Sequence, residues 1–206
     1  MKKELDELLC KRYPKIFRDR HGDMRTTAMC WGFDIGDGWF NIIDKMCRNM
    51  QWHIDHSRKD RARSLRYNRA VKRAMNGNLE GLIRFHTYGK SPNAREYAIK
   101  YANEDVERGL KLRDVDEACP QVIATQVKEK FGTLRFYYYG GNDYCRGVES
   151  LADSLSAVTC EVCGSPGKLL TQGWYRTLCE THAKEQGYDW NVEEIIEEED
   201  EDQISE

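Results

Sequence analysis

Cys160 and Cys163 form a CxxCG knuckle with Gly164, and fifteen residues later Cys179 and His182 form a CxxH pair. This spacing constrains the fold more than any other feature. Two thiols two residues apart turn inward around a tight loop, glycine supplies the backbone freedom for that loop, and a second pair completes a tetrahedron. Lys168 to Leu178, with Gln172-Gly173 near the middle, fit a short hairpin. Cys179 and His182, three apart at the start of a polar run, share one face of a helix's first turn. The order knuckle, hairpin, helix predicts a treble-clef-like module. Its four protein ligands fill the coordination sphere, so the cofactor expected is structural Zn2+.

Five other cysteines, Cys10, Cys30, Cys47, Cys119 and Cys145, are scattered singly. An odd remainder implies reduced thiols and a cytosolic setting. The N-terminus has acidic residues where a signal peptide would have its apolar stretch, and no apolar run approaches the ~20 residues that span a bilayer. The expected location is the cytoplasm, with no membrane partner.

The net charge of −3 conceals an asymmetry. Residues 193–206 hold nine acids and no base, which leaves the rest of the chain at +6. So dense an acidic run lacks core-forming residues and is expected to be a disordered tail, either solubilising or competing with an anionic partner. The organisation predicted is an α+β domain over 1–157, the zinc module over 158–190 and the tail over 191–206.

Within the first domain, Leu5, Leu8 and Leu9 predict a helix ending before Pro14. The segment 29–40, rich in glycine and aromatics, reads as a packed turn. Asp37 is expected to cap a helix whose buried stripe is Trp39, Ile42, Ile43, Met46 and Met50. Arg58 to Arg73 carry eight bases against Asp60 alone. A helix there would bury Tyr67, Val71, Ala74 and Met75 and stop at residues 76–78. A solvated helix face is the plain reading of its charges. The functional reading is a phosphate-binding surface of Arg63, Arg66, Arg69 and Arg73, since guanidinium forks match phosphate oxygens.

Ser91-Pro92 predicts the start of a helix through Ala94, Ala98, Tyr101, Ala102 and Val106. Residues 121–127 and 130–139 predict two strands of a short antiparallel sheet. In the second, Arg135, Tyr137 and Tyr139 share a face that either packs on a helix or stacks nucleobases. Glu149 to Val158 predict a short helix. His53, His56 and His86 raise a metal-dependent nuclease reading, although no motif fixes their geometry. No nucleophile elbow, P-loop or HExxH motif occurs, and no catalytic residue is assigned.

Three blocks together carry a resemblance: Cys-Trp-Gly-Phe-Asp-Ile-Gly-Asp-Gly-Trp-Phe at 30–40, Gln-Val-Lys-Glu-Lys-Phe-Gly-Thr-Leu-Arg-Phe-Tyr at 126–137, and the cysteine motifs at 160–167 and 178–183. Over most of residues 10–185 the chain resembles small proteins of tailed bacteriophages and prophages with a C-terminal treble-clef-like zinc module. That group brings no activity to carry over. The resemblance implies a phage accessory protein in the bacterial host cytoplasm that meets host machinery or host defence. Two function classes follow: a binder of an anionic nucleotide ligand or nucleic acid, and an inhibitor that docks on a host protein.

Overall fold

The computed structural model describes residues 1–89 and 91–191. The expected acidic tail lies outside these residues apart from Asn191. The fold is mixed α+β, with helices α1 (Lys3–Arg12), α2 (Phe40–Met75), α3 (Glu80–His86), α4 (Ala94–Glu107), α5 (Asp143–Ser156) and α6 (Glu180–Glu185). Strands β1 (Phe33–Asp34), β2 (Ile123–Lys130) and β3 (Thr133–Tyr139) form one sheet, and β4 (Lys168–Leu170) and β5 (Arg176–Leu178) another.

Helix α2 organises the molecule. Its 36 residues extend about 54 Å at 1.5 Å per residue. Ile43, Met46, Cys47, Met50 and Ile54 are buried in the main core with Leu9, Ile16, Trp39, Val127 and Phe136. Further along, Tyr67, Ala70, Val71 and Ala74 form a second core with Leu82 of α3 and Ala102 of α4. One helix thus serves two cores, and none of residues 55–66 between them is fully buried. The irregular segment after α4 runs back along this stretch. Ser57 Oγ accepts the Cys119 N–H at 2.9 Å, Arg61 donates to the Asp116 carbonyl at 2.6 Å, and Asn68 bonds both backbone groups of Arg113.

The helix over the basic run buries Tyr67, Val71 and Ala74 as expected, but Met75 is exposed at its last turn. Asn76 and Gly77 end it, Gly77 in the left-handed region at φ +84°. Asp37 does not cap α2. It opens a short 3-10 turn, and its carboxylate accepts the Lys2 N–H at 2.7 Å instead. Helix α4 begins at Ala94, two residues past Ser91-Pro92, and α5 begins six residues earlier than the expected Glu149, capped by the Asn142 side chain. Helix α3 gives no periodic signal because it is seven residues long with Leu82 alone fully buried.

β2 and β3 pair antiparallel, with Val127 opposite Phe136, and β1 adds in parallel beside β2. The parallel strand comes from the segment read as a packed turn. Lys130 belongs to β2, and Phe131-Gly132 form the turn, not the start of β3. Both have positive φ, +54° and +76°, as a two-residue hairpin turn that follows the strand twist requires. The edge of β3 is covered where Ser156 Oγ accepts the Leu134 N–H at 2.8 Å, which blunts edge pairing. All eight cysteines are free. Cys119 and Cys145, distant in sequence, meet in the core with sulfurs 3.9 Å apart.

Candidate metal centre and basic groove

Cys160 and Cys163 sit on a loop that Gly164 closes at φ +78°, its N–H donating to the Cys160 carbonyl at 2.8 Å. β4 and β5 follow as the expected hairpin, Cys179 is the N-cap of α6, and His182 lies in that helix's first turn. The four ligand atoms all lie within 4.8 Å of one another, and no other group of three or more histidine, cysteine or acidic side chains among the described residues could hold a metal ion. Cys163 and Cys179 sulfurs are 3.8 Å apart, the separation of two thiolates on one tetrahedral ion with bonds of about 2.3 Å. His182 turns Nδ1 inward, 3.1 Å from Cys179 Sγ and 3.6 Å from Cys160 Sγ. Its Nε2 lies 3.8 Å from the Glu185 carboxylate, beyond hydrogen-bonding distance. The donor set therefore fits one tetrahedral metal ion.

The thiols differ in environment. The Ser165 hydroxyl and backbone N–H, with the neighbouring thiols, hold Cys163 down at about 6. Burial pushes Cys160 up, against backbone N–H groups of Cys163, Cys179 and Val162 that favour its thiolate.

The module is seated on the body by two of the three sequence blocks. Gly36 donates to Glu161 Oε1 at 2.9 Å, Gly38 to the Glu161 carbonyl at 2.7 Å, and Trp39 Nε1 to the Thr159 carbonyl at 2.8 Å. From the other side, Thr177 Oγ1 donates to the carbonyl of Gly132 in the β2–β3 turn at 2.6 Å. Arg176 stands 2.9 Å from the buried Glu161 carboxylate. These hydrogen bonds to the body join residues about 45 to 125 apart in sequence, and spacing alone gives no signal of them.

The basic residues gather elsewhere. Arg63, Arg66, Arg69 and Arg73 lie on α2 and border two adjoining clefts against α3, of about 550 and 470 Å³. Arg84 of α3, which the sequence pattern does not single out, borders both clefts with Arg66. Among the described residues none of these five pairs with a carboxylate. Glu80, which also borders the groove, is engaged by Arg95 at 3.2 Å.

The other candidates are separate and already partnered. Arg135 binds Asp153 of α5 at 2.6 Å, Tyr139 accepts from Arg18 at 2.8 Å, and Lys128 lies over the Tyr137 ring. His53 meets Asn142 at 3.1 Å and stacks on Tyr144, His56 folds onto Trp52, and His86 bonds Asp105 at 2.7 Å. The three histidines do not form a common site.

No protein-family model, curated protein or solved structure matches the chain. No helix among the described residues is long and apolar enough to cross a membrane.

Proposed function

We propose that this chain is a non-enzymatic binding protein, held together by a structural zinc ion, that engages the phosphates of a nucleotide ligand or nucleic acid along α2. The observation that carries the reading is the groove itself. Five guanidiniums from two helices border it, and none is neutralised by a carboxylate among the described residues. Arginine forks suit phosphate oxygens, and a row of them without acidic partners is the footprint of a polyanion site. Three thiolates and an imidazole are donors that favour zinc, and with all four positions filled by protein the ion's role is to fix the fold. In a phage setting, binding a nucleotide signal or host nucleic acid would serve to counter a defence.

The test is binding of fluorescently labelled oligonucleotides across a salt series. Arg66→Ala with Arg69→Ala should weaken binding and flatten the slope of log K against log salt by about 0.7 for each single-strand phosphate no longer neutralised. Unchanged affinity in the double variant would place the anion site elsewhere.

A further inference from the structure

Resting on the phosphate-binding reading just given, we infer that the α2–α3 groove is built for single-stranded nucleic acid, with Tyr88 stacking a base while the arginine row holds the strand's phosphates. The two clefts are chemically unlike. The second is bordered by Arg69, Arg73, Asn78 and Glu80 and offers no aromatic ring. The first adds Phe85 and Tyr88 to its arginines. Both reach Gly81, where α3 lies against Ala70 of α2, and both share Arg66 and Arg84. Phosphate and aromatic compartments are therefore contiguous.

The two rings play different parts. Phe85 is already enclosed, edge-on to Tyr67 at 5.1 Å, with the Arg113 and Arg63 guanidiniums 5.3 and 5.8 Å from its centre. It forms wall. Tyr88 is 94% exposed, and among the described residues no other ring or cation stacks on it. A free tyrosine face beside unpaired guanidiniums is the combination that binds single strands, where cations track the backbone and aromatic faces stack bases of any sequence. A duplex keeps its bases stacked on each other and offers the ring nothing to engage. Along α2 the row from Arg63 to Arg73 extends about 15 Å, which accommodates more than one phosphate.

The experiment compares a fluorescein-labelled oligothymidylate with a duplex of the same length, binding wild type, Tyr88→Ala, Tyr88→Phe and the Arg66→Ala, Arg69→Ala double variant. The exposure of Tyr88 makes its replacement harmless to folding. The single strand should bind more tightly than the duplex. Tyr88→Ala should weaken it about 5- to 150-fold, the range of one base stack, with an unchanged salt slope, and Tyr88→Phe should restore it. If the double arginine variant loses binding while Tyr88→Ala does not, or the duplex is preferred, the stacking inference is overturned and the phosphate reading stands. If wild type binds neither probe, both fail.

Discussion

Gly38 has no side chain because the metal knuckle leaves no room for one. A Cβ built on it would lie 2.2 Å from the Cys160 carbonyl oxygen and 2.4 Å from the Gly164 nitrogen, both backbone atoms of the loop that presents two of the thiols. Neither can yield without moving a ligand. Gly38→Ala should therefore destabilise the protein by more than the 1–3 kcal/mol typical of an overpacked core, and lower its metal content as well. Gly147 is the control, exposed in the middle of α5 with nothing within 4 Å of a built Cβ. Gly147→Ala should raise stability by about 0.5–1 kcal/mol through helix propensity. Thermal unfolding of the two variants checks both signs, and a Gly38→Ala protein as stable as wild type would show that the knuckle does not clamp this position. The Cys/His cluster is legible in the sequence because local spacing encodes which side chains can converge. Gly36 and Gly38 are visible as glycines, but their reason is a surface over 120 residues away, and sequence spacing carries no trace of it.

Helix α2 shows the same limit at the scale of an element. The periodic stripe from Trp39 to Met50 and the later one from Tyr67 to Ala74 are each readable, and together they are one helix. Between them no residue from 55 to 66 is fully buried, so hydrophobic period falls silent, although good helix formers such as arginine and alanine continue the backbone. What holds this bridge is the returning segment bonded to Ser57, Arg61 and Asn68. Among the described residues the three histidines are not gathered into one cluster. His53 and His56 lie on α2 with separate partners, Asn142 and the Trp52 carbonyl, while His86 is bound to Asp105 across α3 and α4. Replacing all three by alanine should leave metal content near one ion per chain, measured by elemental analysis of the purified protein. Loss of a second equivalent would favour a metal site at these histidines.

At the scale of the molecule, the Cys/His module and the basic groove occupy opposite reaches of α2, and this separates their energetics. The module bears on the residues just before α2 through Gly36, Gly38 and Trp39, and on the β2–β3 turn through Gly132, where a Cβ would meet Leu169 at 2.1 Å. The groove lies more than twenty residues along the helix, over a core of its own. Metal binding to such a site carries folding free energy, because the unfolded chain offers no preformed cage. Chelation should therefore loosen residues 159–186 and pass to what they brace. Hydrogen exchange should accelerate at 33–39 and 130–134, while 67–86, whose packing is with α3 and α4, keeps its protection. The melting temperature should fall, yet oligonucleotide binding at low temperature should persist. Exchange confined to the module would mean that the clamp lends the body no stability. Acceleration spread to 67–86 would mean that the two cores fold as one unit, and the stretch of α2 between them would then be transmitting stability.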